Sequence, residues 1–389
     1  MSTNIAPKKR RPHRKSRYGC VNCKSRGVKC DERPGNCKRC ETYGVQCAYG
    51  SDLASSMRLS TPASFIVTSR SQSTLRMPIG SGIHCYHLTT YDMAQLSKYQ
   101  HRTAPALSTR QSRPVLVEQS MTMAFRHPFL MHAILAVTHS HDVAVHREHG
   151  SAEQVTHWHH AVRLLNSVLS TPLDPEARDA TWLASILVSV VSLIMKTQQN
   201  EYQNVWPLTP PNALDLQWLK LCDGKRLIIT LTDPLRDESR VRDMASEVMA
   251  NIATMEHVVK IQPQDWSYLP CDLAQFVQMH VHEHHPHHIA ASALCETYRS
   301  SGQFLSHLSF LTILDTNFRS SLELRDPEAL LILLYWHVRT CELQIWFMWK
   351  HSWTEAMAIY EFLTRAWESS PELLTLLEYP RESLVKNKP

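Results

Sequence analysis

Six cysteines near the start of the chain follow the spacing C-x2-C-x6-C-x6-C-x2-C-x6-C. A shift of seventeen residues superposes the first three on the last three, and with them Gly27 and Val28 on Gly44 and Val45. Thiolates are ligands of structural zinc, which takes four per ion. Two half-sites of three sulfurs offer six ligands for the eight positions of two ions, so the spacing predicts two zinc ions with two bridging sulfurs. The predicted ligands are Cys20, Cys23, Cys30, Cys37, Cys40 and Cys47.

The same cysteines would form a disulfide framework in an oxidising compartment. Residues 1–17, however, contain no apolar run of the kind found in a secretion signal. The cysteine segment is also too polar to have a core in which six unrelated thiols would be buried. We therefore expect folding coupled to zinc binding, with an apparent free energy of about 10–16 kcal/mol at neutral pH.

The two half-sites differ in charge. The first carries Lys24, Arg26 and Lys29 between its second and third cysteines, whereas the corresponding positions of the second hold one acid, Glu41, and two neutral residues. Arg and Lys side chains recognise guanine O6 and N7 in the major groove of DNA. The first half-site is therefore the predicted DNA-contacting surface.

The cysteine pattern resembles the six-cysteine binuclear zinc cluster of fungal transcription regulators. The resemblance implies that the first and fourth cysteines, Cys20 and Cys37, bridge the two zinc ions. It also implies that the first half-site reads CGG triplets in double-stranded DNA at promoters. Members of the family often carry a second basic residue where this chain has Gly27. The predicted base contacts therefore rest on Arg26 and Lys24, with Lys29 as the nearby alternative.

The charge distribution supports this interpretation. Residues 1–50 carry a net charge of +10, so the other 339 residues carry −5 of the total of +5. We interpret residues 1–17 as a flexible basic arm and nuclear localisation signal, and residues 18–49 as the zinc cluster DNA-binding domain, irregular with two short helices. Residues 50–83 form a Ser/Thr-rich linker without a/d heptads, which leaves dimerisation undecided.

Residues 84–389 are predicted to form one large all-α regulatory domain, because apolar residues recur at helical spacing and no strand alternation is sustained. One stripe comprises Val155, Trp158, Val162, Leu165 and Leu169. A second comprises Leu330, Leu334, Val338, Cys341, Ile345 and Met348. The most apolar run, residues 182–195, is shorter than the roughly 20 residues that cross a membrane, so no membrane span is expected.

The segments HCYHLTTYDMAQLS, MAFRHPFLMHAILAVTHSH and WLKLCDGKRLII resemble the regulatory domain of the sterol uptake control group of zinc-cluster factors. In the second segment, Pro128 is suited to the first turn of a helix. The resemblance implies an all-helical domain with a hydrophobic small-molecule effector. It also implies activation through the RNA polymerase II transcription machinery of sterol, lipid or secondary-metabolite genes.

Other functions were weighed against this prediction. No GxSxG elbow, P-loop, dinucleotide-binding glycine motif or HExxH motif occurs, so the chain is predicted not to be an enzyme. An adaptor that uses the zinc cluster as a protein-binding scaffold, or a repressor without specific DNA readout, is the alternative function. The histidine-rich run at residues 280–288 offers nitrogens for a metal, but Pro286 interrupts it. We interpret it as a solvated polar loop, and His139, His141, His157, His159 and His160 as face and edge residues of helices rather than ligands.

Overall fold

A computed structural model of the chain shows two compact units, Met1–Gln72 and Ser73–Pro389. The predicted basic arm, most of the predicted linker and Arg26 lie outside the residues that the structure describes. Those residues are 18–20, 23–24, 28–33, 36–42, 47, 77–79, 86–146, 151–197, 201–213, 215–261, 265–300 and 303–389.

In the first unit the structure describes the short helix α1 (Lys38–Thr42), and Cys23 and Lys24 are also helical. Both carboxylate oxygens of Asp31 accept the backbone N–H of Lys38, at 3.2 and 3.1 Å, and cap its first turn. The Thr42 hydroxyl donates to the Lys38 carbonyl at 2.8 Å. Five residues are too few for a helix that is stable in isolation. The contacts that keep α1 folded must therefore come from its surroundings, described below.

The second unit begins with a small antiparallel sheet that the sequence did not predict. Strand β1 (Met77–Ile79) pairs with β2 (Tyr86–Leu88), with Met77 opposite Leu88. Strand β1 falls inside the segment 50–83 that we interpreted as a linker. Three residues are too short to show the alternation by which a strand is recognised in a sequence. Strand β2 lies within residues 84–389, which are otherwise mostly helical, as predicted.

The remainder of the second unit is mostly helical, in agreement with the predicted fold class. π-helical turns at Tyr99–Thr103 and Val115–Gln119 and four short 3-10 turns, Pro175–Ala177, Tyr202–Asn204, Trp266–Tyr268 and Thr375–Leu377, interrupt or connect the helices. The α-helices are α2 (Thr90–Lys98), α3 (Ala104–Leu107), α4 (Ser120–Ala124), α5 (Pro128–His146), α6 (Ala152–Leu169), α7 (Arg178–Thr197), α8 (Gln217–Thr232), α9 (Arg242–Ile261), α10 (Cys271–His280), α11 (His288–Arg299), α12 (Phe304–Ile313), α13 (Thr316–Glu323), α14 (Pro327–Glu342), α15 (Trp349–Ala366), α16 (Pro371–Leu374) and α17 (Glu378–Lys386).

Helix α14 lies at the centre of this unit. The Asp326 carboxylate accepts the N–H groups of the first turn, and Pro327 occupies the first helical position. Its side chains are buried on every side, as expected from a helix that is apolar almost all round. The stripe that begins at Leu330 is buried throughout, but the helix ends at Glu342, so Ile345 and Met348 continue the core from the connection that follows.

Helix α5 begins at Pro128, as predicted, and packs against α6 and α7. The predicted buried face of α6 is only partly correct. Leu165 is buried, but Val155 is 47% exposed, while Gln154 and His157 are buried instead. These polar residues have partners on neighbouring elements: the Gln154 amide donates to the Ser140 hydroxyl of α5 at 2.8 Å. Because buried polar groups have hydrogen-bond partners, Gln154 and His157 face the core, and Val155 of the apolar stripe is left exposed.

Helix α7 extends the apolar run seen in the sequence. The stretch Pro175–Lys196 has 22 residues and is apolar enough to cross a membrane by length and composition. However, 56% of its apolar window is buried within the protein, and α7 packs against α5, α8 and α15. These contacts are those of a core helix.

Candidate metal centre

The six predicted ligands converge in the first unit. They form two groups of four whose sulfur atoms all lie within 4.8 Å of one another: Cys20, Cys23, Cys30 and Cys37, and Cys20, Cys37, Cys40 and Cys47. Cys20 and Cys37 belong to both groups. The structure thus brings together six sulfurs in the arrangement that eight ligand positions require.

The distances between sulfurs test whether zinc fits. Four sulfurs bound tetrahedrally at 2.3 Å from one zinc ion lie about 3.8 Å apart. The Cys20 and Cys37 sulfurs are separated by 3.8 Å, those of Cys20 and Cys40 by 3.6 Å, and those of Cys23 and Cys37 by 3.6 Å. A disulfide would need about 2.0 Å. All six cysteines are reduced, and their spacing suits shared metal ions.

The internal repeat is reproduced in the backbone hydrogen bonds. The N–H of Cys23 points to the Cys20 sulfur at 3.4 Å, and the N–H of Cys40 points to the Cys37 sulfur at 3.3 Å. The N–H of Cys20 donates to the Cys30 sulfur at 3.4 Å, and that of Cys37 to the Cys47 sulfur at 3.3 Å. Each pair is related by the shift of seventeen residues. These N–H donors orient the sulfurs and stabilise their negative charge.

The protonation states of the thiols also bear on metal binding. Burial raises the pKa of Cys23 to about 12, whereas the backbone N–H of Cys37 lowers the pKa of Cys47. Zinc binds thiolates, so its binding must release the protons that buried thiols such as Cys23 hold. Among the described residues of the first unit, the buried side chains are all cysteines. Within this described part of the unit, the bound metal would take the place of an apolar core.

Lys24 and Lys29, two of the three predicted base-contacting residues, are exposed on the first half-site. Lys24 and Glu41 occupy equivalent positions, since the N–H of Lys24 donates to the Cys20 carbonyl at 3.1 Å and that of Glu41 to the Cys37 carbonyl at 3.0 Å. Glu41 lies 3.9 Å from Arg33. Neither Lys24 nor Lys29 takes part in an ion pair between two described residues. The same position in the repeat therefore carries a cation in the first half-site and an acid in the second.

The histidine-rich run is less solvated than we expected. His287 is only 3% exposed, and its Nε2 lies 3.2 Å from the Asp326 carboxylate that caps α14. The His285 Nε2 lies 3.4 Å from Glu328. Burial of these histidines is favourable because the acidic residues at the start of α14, distant in the sequence, supply polar partners. Within the described ranges, the groups of three or more His, Cys, Asp or Glu side chains close enough to hold a metal are the two cysteine groups.

A second histidine cluster was missed by sequence reasoning. His157 of α6 is buried, not an edge residue; its Nδ1 lies 2.9 Å from the His132 Nδ1 of α5, and its Nε2 lies 3.6 Å from an Asp92 oxygen of α2. The Tyr86 hydroxyl donates to the other Asp92 oxygen at 2.7 Å. Burial lowers the pKa of His132 to about 3. Although burial opposes its charge, the adjacent His157 and hydrogen bonds from the Thr89 N–H and the Tyr86 hydroxyl hold the pKa of Asp92 well below its usual range. The cluster connects β2, α2, α5 and α6.

The second unit also contains a cavity of about 220 Å³, which we call the apolar cavity. Ile186 and Leu193 of α7, Ile252 of α9, and Phe304 and Leu308 of α12 contribute to its lining. Such a space is typical of a site for an apolar ligand. The cavity lies among helices that sequence patterns predict one at a time. Those patterns do not predict how the helices pack, so they do not predict the cavity.

Comparison with known proteins places the first unit. Residues 18–54 match the model of the fungal Zn(2)-Cys(6) binuclear cluster domain. This match confirms the zinc cluster predicted from the cysteine spacing, and with it a content of two zinc ions.

Three curated relatives give the same result. A Zn(2)-C6 fungal-type transcription factor of Gibberella zeae is 43% identical over 56 residues, 14% of this chain and 11% of the relative. The Zn(2)-C6 fungal-type transcription factor afumD of Aspergillus fumigatus is 51% identical over 37 residues, 10% of each chain. Sterol uptake control protein 2 of Saccharomyces cerevisiae is 49% identical over 41 residues, 10% of this chain and 4% of the relative. The chain therefore matches about a tenth or less of the length of these relatives. The first two are named as transcription factors, which supports the prediction that the chain is not an enzyme.

Proposed function

We propose that this protein is a zinc-dependent, sequence-specific DNA-binding transcription factor of the nucleus, because residues 18–54 are a fungal Zn(2)-Cys(6) binuclear cluster domain that binds two zinc ions. The names of the matched relatives support this proposal. The six cysteines would hold the metal, with Cys20 and Cys37 shared by both ions. Zinc supplies the structural centre of the domain and no chemical step.

The observation that carries the proposal is the charge difference between two half-sites with the same cysteine spacing. If the cluster were only a scaffold, nothing would require cations between the second and third cysteines of one half and not of the other. Lys24 is exposed, and the equivalent position in the second half is the acid Glu41. Cations on one face match the negative charge of phosphates and the acceptors of guanine. We propose that Lys24 and Arg26 contact the bases of CGG-containing sites, with Lys29 beside them.

The first experiment is a random-site selection with zinc-loaded full-length protein. It is followed by measurement of the affinity for the selected site at several salt concentrations. We expect a CGG-containing site. Arg26→Ala should weaken binding to it by roughly 1–3 kcal/mol, the range for one base contact.

Repeat-related substitutions give a matched control. Lys24→Glu places the acid of the second half-site at the equivalent position of the first and should abolish specific DNA binding. Glu41→Gln should leave the binding of both zinc and DNA intact. If a phosphate contact is lost as well, the slope of log K against log salt falls by about 0.9. A selection that enriches no site from protein with two bound zinc ions would favour the adaptor function instead.

The second unit is proposed to be the regulatory domain. Its apolar cavity supports a hydrophobic small-molecule effector, the class of partner that the resemblance to the sterol uptake control group implies. Activation through the RNA polymerase II machinery, and control of sterol, lipid or secondary-metabolite genes, are proposed on the same resemblance. One selected triplet would indicate a monomer, and two triplets at fixed spacing a dimer.

A further inference from the structure

The apolar cavity has incompletely buried walls. Ile186, Leu193, Phe304 and Leu308 pack against the core but are only partly buried. Each of them also lines the cavity. A ligand that covered this apolar surface would gain free energy in proportion to the area removed from water. The part of the ligand that occupies this space is therefore a hydrocarbon.

A second, larger opening of about 790 Å³ lies between α8, α9, α13 and the start of α11, and we call it the polar cleft. The Asp315 carboxylate is engaged in capping α13, since it accepts the Phe318 N–H at 2.8 Å. Glu323 lies 3.7 Å from Lys220. Four cationic and three acidic side chains line the cleft, an excess of one positive charge. Its charged side chains are Lys220, Arg226, Lys260 and Arg319, against Glu256, Asp315 and Glu323.

Arg226 of α8 lines both openings. Its guanidinium donates to the Thr312 carbonyl at 3.1 Å, and Thr312 itself lines the apolar cavity. This hydrogen bond uses one of five N–H groups and fixes the planar cation at the place where the two linings meet. The preceding residue, Lys225, also lines the apolar cavity and adds a second cation there. Glu247, also in that lining, accepts a hydrogen bond from the Thr109 hydroxyl at 2.5 Å.

We propose that the second unit binds a single-chain amphiphile with an anionic head, its hydrocarbon tail in the apolar cavity and its head beside Arg226 at the polar cleft. This inference rests on the proposed regulatory function and specifies the class of its effector. The planar guanidinium suits a carboxylate or a phosphate monoester, both of which accept two hydrogen bonds from it. An uncharged hydroxyl would satisfy one N–H and leave the positive charge without a partner.

The direct test measures binding to zinc-loaded full-length protein by isothermal titration calorimetry and by the fluorescence of Trp182 and Trp218, which line the cavity. The probes are fatty acids from octanoate to palmitate, the alcohol of each chain length, lauryl phosphate and ergosterol. Affinity should rise about fourfold for each added methylene until the cavity is filled. The alcohols should bind at least about tenfold more weakly than their acids. Comparison of laurate with lauryl phosphate identifies which anion the site prefers.

Two substitutions separate the roles of tail and head. Ser189→Phe fills the cavity from α7 and should reduce the affinity for every probe. Arg226→Gln should remove the preference for acids over alcohols. Arg242→Gln is the matched control, because Arg242 is exposed on α9, pairs with Asp237, and lines neither opening; it should keep that preference. A thermal melt of each variant checks that it is folded.

The inference is overturned if alcohols or ergosterol bind as tightly as the acids, or if the Arg226→Gln variant still prefers acids. Specific DNA binding is measured on the same protein. If no amphiphile binds while a selected DNA site is still recognised, the effector class is wrong and the proposed function stands. If amphiphiles bind as expected but no DNA site is selected, the DNA-binding function is wrong and the ligand site stands.

Discussion

Replacing one bridging and one terminal cysteine tests the shared cluster most directly. Cys37 belongs to both groups of four sulfurs, and Cys47 belongs to one. A structural zinc is bound with about 10–16 kcal/mol, or about 2.5–4 kcal/mol for each of its four sulfurs. Cys37→Ser should therefore weaken both zinc ions by about that amount each, whereas Cys47→Ser should weaken only one. Per ion, the loss is on the order of a hundredfold to a thousandfold in affinity.

The assay is zinc content by mass spectrometry during titration with a chromophoric chelator, in parallel with affinity for the selected DNA. Cys47→Ser should give one tightly and one weakly held ion. Cys37→Ser should give two weakly held ions and no specific DNA binding. Cys271→Ser is the control, because Cys271 is an exposed cysteine of the second unit, and it should keep both ions. The reasoning is refuted if Cys37→Ser and Cys47→Ser lose the same single ion.

Three further predictions concern the second unit. Asp92→Asn should lower stability by about 1–3 kcal/mol, because Asp92 caps α2 and accepts a hydrogen bond from Tyr86. Since its pKa is depressed on folding, its contribution is present above its unfolded pKa of about 4 and is lost as the pH falls, so the variant should melt with a weaker pH dependence in acid. His337→Leu should change stability by less than about 1 kcal/mol at neutral pH, because both ring nitrogens of His337 lack partners among the described residues. Burial lowers the pKa of His337 to about 3, so this group should destabilise the wild type as the pH is lowered from about 6.5. Melts of the variant across this range should lack that part of the pH dependence. Lys196→Ala should cost about 2–3 kcal/mol in chemical denaturation, since it leaves the buried Glu355 carboxylate, 3.0 Å from Lys196, without its cation. The double variant Lys196→Met with Glu355→Leu should recover most of that loss; a double variant as unstable as the single would contradict the account.

The metal centre was predictable because its information is local. All six ligands fall within 28 residues, and the repeat relates one half to the other. The capping contacts were local as well: Pro128 begins α5 as the sequence indicated. Features of this kind depend on spacing along the chain, which a sequence displays directly.

Features that depend on distant partners were not predictable. The sequence predicts that His157 is a face or edge residue of its helix, yet Asp92, 65 residues earlier, gives it a polar partner inside the protein. His287 was assigned to a solvated loop, yet Asp326 pairs with it. The β1–β2 hairpin and the apolar cavity likewise arise from the meeting of elements that each look ordinary alone. A single sequence does not reveal which of them meet.

The two units depend on different sources of stability, and this difference bears on how the protein can be regulated. Among the described residues of the first unit the buried side chains are cysteines, whereas Lys24 and Glu41 are exposed and add nothing to that buried cluster. The charge at these two equivalent positions can therefore differ without loss of the fold. In the second unit the core is apolar and continuous, and α14 is buried on every side. A ligand that adds apolar surface to that core stabilises it by mass action. If both proposals hold, zinc determines whether the first unit is folded and the amphiphile stabilises the helical unit, through free energies that differ in origin.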